Sequence, residues 1–288
     1  MANPLTTAEL EATIVEVLPV VQKETSVLTR AGASNVSYGT DIVRKLSLGG
    51  PAAVEEGNLK PKSDVSVANF TVVRHVLSYI LLQTEQFQDT AEGRELTANA
   101  LQDAVGNMVK GFDLLVLNGT DPQTGDAFTP ASAVNLKDNA SEDLAAGATA
   151  TAEEIKDLLA ATSKAKAVVL GDAGLNAIQF SETASGLRAY PEASRNNSFD
   201  FWGVSAHHSE ALGLDGWSDV ADFTNTNVAV AGDFSKIGRS YGTPSVRLFT
   251  EALGGVILGD YNQIGYRIEV PVAYYVQNPE SFSILKTA

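Results

Sequence analysis

The stretch that decides the fold is residues 89–118, DTAEGRELTANALQDAVGNMVKGFDLLVLN. Asp89 followed by Glu92 can cap a helix at its start, and Asn118-Gly119 can end it. We therefore predict a helix of about 27 residues, ~40 Å long, which would be the spine of an elongated subunit. One face of this helix is apolar, at spacings of three and four residues: Leu101, Ala104, Val105, Met108, Phe112, Leu115 and Val116.

The segments before this helix predict an N-terminal helix and a long hairpin. Residues 1–30 have loose helical spacing, but Pro19 interrupts them, so we expect a short or broken helix. Residues 36–87 are rich in β-branched and aromatic side chains, and a charged, turn-forming segment lies near residues 55–64. A lone two-stranded ribbon of this length is unstable in water, so it needs a neighbouring surface and points to an assembly.

The segments after this helix predict a mixture of helices and strands. Residues 119–150 are rich in Gly, Asp, Thr and Ala and predict loops. The pattern then predicts a helix over Thr151–Ser163 with a capping box of Thr151 and Glu154, a buried strand over Ala165–Leu170, and a helix over Ala173–Phe180. Strands dominate from Val228 onward. The fold class is therefore α+β.

Composition excludes several classes of function. The 288 residues carry a net charge of −15, which argues against a protein that wraps nucleic acid by neutralising phosphates. The absence of cysteine excludes disulfides, thiolate metal sites and a cysteine nucleophile. No phosphate-binding or dinucleotide motif occurs, so we expect no cofactor. Without a signal peptide or a membrane-length apolar run, we expect no membrane partner and synthesis in a cytoplasm.

Two short motifs invite a catalytic or metal-binding interpretation. Gly238-Arg239-Ser240-Tyr241-Gly242 matches the G-x-S-x-G pattern of serine hydrolases, but that pattern needs a following helix and a later histidine. Strand-like sequence follows instead and every histidine comes earlier, so a tight turn between strands is the better account. His207-His208 would point to opposite faces of a strand, so we predict no metal site.

Lys60, Asn262 and Glu269 form the candidate reactive constellation. A neutral lysine amine can attack a carboxamide and expel ammonia, which leaves an isopeptide bond, and a nearby carboxylate can accept the proton. Nothing in the spacing alone says that the three residues meet. On composition, Lys60 is by default a solvated loop residue.

The ordered series of segments resembles the major capsid proteins of tailed bacteriophages, with the Hong Kong 97-type fold. Residues 53–64 are similar to the tip of the family's extended loop, and residues 90–117 with the Leu117-Asn118-Gly119-Thr120 exit resemble its spine helix. Residues 168–170, 186–190 and 201–205 resemble its axial domain. Residues 231–235, 262–269 and 279–282 resemble the strands that return to the peripheral domain and close the chain.

The resemblance implies a domain plan and a function. It implies an N-terminal arm at 1–35, an extended loop at 36–75, a peripheral domain from 76–150 and 236–272, and an axial domain from 151–235 and 273–288. It implies a major capsid protein, not an enzyme, whose pentamers and hexamers form an icosahedral head in the virion, assembled in the host cytoplasm. The head would enclose double-stranded DNA without sequence-specific binding. Scaffolding, portal and decoration proteins are candidate partners.

The resemblance also gives Lys60, Asn262 and Glu269 specific roles. Some family members cross-link neighbouring subunits through a loop lysine, a closing-strand asparagine and a catalytic glutamate, and each such set of residues reacts only once. By the motif match, these three residues fall on Lys60, Asn262 and Glu269.

Two alternative functions stay open. One is an encapsulin-type shell around protein cargo, and the other, from a different class, is a serine hydrolase that uses Ser240.

Overall fold

The computed structural model describes residues 7–48, 65–84, 90–122, 135–136, 140, 142–146, 150–162, 164–210, 212, 227–253 and 256–287. Its helices are α1 (Thr7–Thr25), α2 (Val27–Arg30), α3 (Ala91–Asn118), α4 (Ala152–Ala161) and α5 (Asp172–Gln179). Its strands are β1 (Ser34–Asn35), β2 (Ile42–Leu48), β3 (Val65–Thr71), β4 (Val73–Thr84), β5 (Glu142–Ala146), β6 (Ala167–Leu170), β7 (Ser198–Phe201), β8 (Val204–His208), β9 (Asn227–Gly232), β10 (Ile237–Tyr241), β11 (Ser245–Phe249), β12 (Ala252–Leu253), β13 (Val256–Ile257), β14 (Gln263–Val276) and β15 (Ser283–Thr287).

The spine helix α3 is confirmed, with a different N-terminal cap. Its 28 residues begin after Thr90, whose hydroxyl accepts a hydrogen bond from the amide of Gly93 and caps the helix. Asp89, the predicted cap, lies outside the described residues. The helix ends at Gly119, whose φ of 64° is the left-handed conformation that glycine favours. The predicted apolar face is buried from Leu101 to Val116.

Residues 7–25 form one continuous helix, so the predicted break at Pro19 is wrong. Helix α1 has 19 residues with Pro19 inside it. A proline removes one helix hydrogen bond, at a cost of roughly 3 kcal/mol. Burial of Leu10, Ile14 and Leu18 against the core shared with α3 stabilises the helix enough to offset that cost.

The first sheet covers α3 and is organised around the longest strand. Strand β4 pairs antiparallel with one side of β14 from Val73 to Thr84, while β10 and β11 pair with the other side, and β1 pairs with β10. Side chains from α1, α3 and this sheet form one hydrophobic core that includes Phe112, Tyr266 and Tyr274. The strand over Tyr266–Val276 is thus confirmed.

The second sheet has the strand order β5-β15-β9-β6-β8-β7 and forms a separate core with α4 and α5. Helices α4 and α5 and strand β6 are confirmed, including the capping box of Thr151 and Glu154. The prediction of loops throughout 119–150 is wrong at β5, which pairs parallel with β15. Chain segments 233–236 and 277–282 connect the two sheets, and they contact each other because the amide of Gln277 donates to the carbonyl of Lys236 at 3.0 Å.

Strands β2 and β3 confirm the hairpin and pair antiparallel from Ile42 opposite Thr71 to Leu48 opposite Val65. At its base, Phe70 stacks on Tyr275 of the first sheet, with ring centroids 6.2 Å apart. The segment between the two strands, which contains Lys60, lies outside the described residues.

Candidate functional site

Strand β14 positions two of the three candidate cross-linking residues. Asn262 lies just before the strand, at the end of a short 3-10 turn, with a left-handed φ of 50° and an exposed side chain. Glu269 lies within the strand, between Ser78 of β4 and Ser245 of β11. Asparagine tolerates the left-handed conformation better than most residues, which explains why it can occupy this turn. Because the side chain is exposed, its carboxamide is accessible from solvent.

The structure does not bring these two residues together within one chain. Glu269 follows Asn262 by seven residues, which is about 23 Å along an extended strand. A carboxylate must lie within hydrogen-bond reach of the proton that it accepts. Any reaction that uses Asn262 and Glu269 at one place therefore requires more than one copy of the chain.

Glu269 faces a cation and an apolar surface. Its carboxylate oxygen lies 3.0 Å from Nε of Arg267, whose guanidinium is also 5.2 Å from the ring centroid of Phe249. The side chain of Glu269 is 25% exposed, so it can be reached from outside. On the same face of the sheet, Val76 and Ile80 of β4 are 56% and 46% exposed. The candidate carboxylate thus lies on an open, partly apolar sheet face.

The other sequence candidates have structural roles. Ser240 lies inside strand β10 opposite Ala273, with no strand-turn-helix elbow, so the predicted turn at 238–242 is wrong and the hydrolase geometry is absent. His207 and His208 lie next to each other in β8, as predicted: His207 is buried beside Ser198, and His208 contacts Asp172 at 2.7 Å. No cluster of three metal-ligating side chains occurs among the described residues.

The pattern of α3 contains a charged residue that the sequence analysis missed. Asp113 is 1% exposed and lies between the buried Phe112 and Leu114. A single carboxylate inside an otherwise apolar run, from Phe112 to Leu117, is the signal that could have identified it.

Among the helices of the described ranges, none has the length and hydropathy that crossing a lipid bilayer requires.

Comparison by structure identifies what this chain is similar to. No protein-family model and no curated protein matches the sequence. A structure from Mycobacterium phage Ogopogo matches with a TM-score of 0.70 at 18% identity, covering 92% of this chain and 92% of that chain. A structure from Gordonia phage Cozz gives 0.69 at 18% identity, with 92% and 87% covered. The capsid of a native gene transfer agent particle gives 0.53 at 14% identity, with 100% and 93% covered. The chain therefore has the mixed helix-and-sheet fold of phage and gene transfer agent capsid structures.

Proposed function

We propose that this chain is a major capsid protein, a non-enzymatic structural component of a phage-like virion whose copies assemble into a closed shell. The observation that carries the proposal is the fold: it matches capsid structures over nearly the whole of this chain and of those chains. A partial match would leave room for another function in the remainder, and the high coverage on both sides argues against that.

The exposed apolar surfaces support self-assembly. Val76 and Ile80 project from the open face of the first sheet, and Val67 of the hairpin is 55% exposed. Large apolar side chains exposed in this way lose contact with water when a second copy covers them, which favours association. The hairpin is attached to the first sheet at its base, through Phe70, and an extended ribbon gains stability when a neighbouring copy covers it.

In its finer form, the proposal is an icosahedral head built from pentamers and hexamers and assembled in the host cytoplasm. The net charge of −15 favours a shell that encloses double-stranded DNA without gripping it, because like charges repel. The domain plan of an N-terminal arm (1–35), an extended loop (36–75), a peripheral domain (76–150 and 236–272) and an axial domain (151–235 and 273–288) belongs to this proposal. Scaffolding, portal and decoration proteins are the expected partners.

Electron microscopy of the expressed full chain, with sedimentation velocity, tests the function. We expect closed shells or capsomers, and a folded protein that stays monomeric at high concentration would overturn the proposal. Val76→Asp should block assembly without loss of secondary structure, and Val76→Ile is the matched control that should assemble. Particles purified from a host that contain protein cargo instead of DNA would favour the encapsulin alternative.

We also propose that neighbouring copies cross-link through Lys60, Asn262 and Glu269. The lysine amine would attack the side-chain carbonyl carbon of Asn262, a carbon–nitrogen bond would form, and ammonia would leave. Glu269 would accept the lysine proton and return it to the departing ammonia. The separation of Asn262 from Glu269 along β14 is consistent with a reaction between copies, since one chain cannot supply both groups at one point.

Denaturing gels of assembled particles test the cross-link. We expect covalent oligomers in the wild type and only monomers in Lys60→Arg, Asn262→Asp and Glu269→Gln, with one ammonia lost per cross-linked peptide in mass spectrometry. Arg247→Lys, on the neighbouring strand, is the control that should keep the ladder. A wild-type particle that dissolves entirely into monomers would refute the cross-link and leave the capsid proposal intact.

A further inference from the structure

A buried carboxylate holds the joint between the N-terminal helices and the spine helix. Asp113 of α3 accepts a hydrogen bond from the hydroxyl of Ser26 at 2.9 Å and another from the backbone amide of Val27 at 2.6 Å. The Ser26 hydroxyl oxygen also accepts from the amide of Thr29 at 3.2 Å and caps α2. One side chain of the spine helix therefore fixes the point at which α1 ends and α2 begins.

The charges around this carboxylate do not neutralise it by direct contact. Arg239 of β10 is 3% exposed, and within the described part of the chain its Nε and Nη1 atoms have no hydrogen-bond partner. It lowers the pKa of Asp113 only through space. Tyr241 on β10 and Arg30 on α2 also interact with Asp113 through space. Asp113 lines a cavity of about 200 Å³, and the other titratable groups around that cavity are Glu24 on α1, Lys110 on α3, and His208 and Glu210 at and beyond the end of β8.

Burial dominates the titration of this group. It raises the pKa of Asp113 to about 7, against the opposing effects of the Ser26 hydroxyl, the Val27 amide, the Arg239 charge and the Leu28 amide. A neutral carboxylic acid fits the same geometry. One oxygen can donate to the Ser26 hydroxyl, which then accepts from Asp113 as it already does from Thr29, while the other oxygen still accepts from the amide of Val27. Protonation therefore keeps both atom pairs in contact, reverses the donor in one of them and removes the buried charge.

We propose that Asp113 is a proton-dependent latch, which holds residues 26–30 against the spine helix when it is protonated and loosens them when it is ionised. A buried, ionised carboxylate favours any conformation in which it reaches bulk solvent. The consequence extends to the second sheet. The guanidinium of Arg30 donates to the carbonyl of His208 at 2.7 Å and to that of Asn197 at 3.3 Å, so loosening α2 also loosens this tie.

The direction of the pH effect follows from linkage. In the closed joint the carboxyl keeps its proton up to about pH 7, whereas a solvent-exposed aspartate loses its proton near pH 4. Between these values the open state binds fewer protons, so opening becomes about tenfold more favourable for each pH unit. Above about pH 7 both states are ionised and the opening equilibrium no longer changes.

Hydrogen exchange of the full-length chain, read by mass spectrometry from pH 5 to 8, tests the latch. After correction for intrinsic rates, we expect protection of peptides covering residues 26–31 to fall about tenfold per pH unit up to about pH 7 and then level off. Asp113→Asn mimics the neutral acid and should remove this slope. Asp103→Asn changes an exposed aspartate on the same helix and should retain it.

Two results would overturn the latch. One is a slope that persists in Asp113→Asn, and the other is a wild-type protein whose protection at residues 26–31 changes less than threefold between pH 5 and 7. The second result decides the question even if Asp113→Asn fails to fold. Exchange in α4 serves as an internal reference, because that helix packs on β9, β15 and α5 and lies outside the tie between Arg30 and β8.

Discussion

Replacement of Phe112 by alanine tests whether the spine helix and the first sheet share one well-packed core. Phe112 is fully buried and makes edge-to-face contacts with Tyr241 and Tyr274, with ring centroids 5.2 Å and 6.0 Å apart. Truncation of a buried phenylalanine costs about 3–5 kcal/mol through lost apolar burial and the resulting cavity. Each aromatic pair adds about 0.5–1.5 kcal/mol beyond area. We therefore expect a loss near the upper end, about 5 kcal/mol.

The measurement is urea unfolding of the unassembled chain, followed by far-ultraviolet circular dichroism and compared at equal protein concentration. Phe112→Leu keeps most of the apolar volume but loses both ring contacts, so it should cost about 1–3 kcal/mol, less than the alanine variant. Leu96→Ala is the matched control on the same helix, since Leu96 is 46% exposed, and it should change stability by less than about 0.5 kcal/mol. A loss below about 1 kcal/mol in Phe112→Ala, or an equal loss in Leu96→Ala, would refute the single-core reasoning.

Further predictions concern a glycine, a helix cap and a histidine. Gly119→Ala should destabilise the helix end by at least about 1 kcal/mol in thermal unfolding, because φ is 64° and the new Cβ would lie 2.1 Å from the side-chain nitrogen of Asn135; an unchanged melting temperature would contradict this. Thr151→Ala should cost about 1 kcal/mol, since it removes the cap shared with Glu154, whereas Thr151→Ser should restore most of it. Burial lowers the pKa of His207 to about 4, so the unfolded chain binds the extra proton and this histidine destabilises the fold as the pH drops from about 6.5 towards 4. In urea titrations His207→Gln should therefore gain stability relative to the wild type as the pH falls through this range, and a difference that does not change with pH would contradict the prediction.

The titrations of His207 and Asp113 act in opposite directions over the same pH range. Acid destabilises the fold through His207, whereas it stabilises the closed joint through Asp113. The Asp113→Asn variant keeps His207, so the difference between that variant and the wild type isolates the latch. The two substitutions together should make stability between pH 4.5 and 6.5 depend less on pH than either does alone.

Local patterns predicted the elements whose burial repeats along the chain. Helix α3 could be predicted because its apolar face recurs over several turns from Leu101 to Val116. Pro19 misled the prediction because a local rule was outweighed by packing of α1 against α3. Strand β5 could not be predicted because its partner β15 lies 141 residues later in the sequence, and no local pattern encodes that pairing.

One glycine explains why residues 238–242 were wrongly predicted to form a turn. Gly238 was interpreted as part of a turn, yet it lies within β10. The position requires glycine because a Cβ there would come within 1.9 Å of the ring of Tyr275. Glycine serves close packing at this position and not a change of chain direction. For the candidate site, the family resemblance predicted that Asn262 and Glu269 belong to a closing strand; the structure has Glu269 within β14 and Asn262 in the turn just before it. Whether copies bring the two residues together depends on assembly, which a single sequence does not encode locally.

The two short connections between the sheets have a mechanical consequence. Segments 233–236 and 277–282 run side by side, joined by the Gln277 amide and by a 3.3 Å contact between the Lys236 ammonium and the Ser281 hydroxyl. A single strand of chain would act as a swivel, whereas two adjacent connections resist torsion and transmit tension. A pull along β14 also loads its hydrogen bonds to β4 in shear, so that many must fail together. A shell built from such subunits would withstand internal pressure through backbone geometry as well as through contacts between copies.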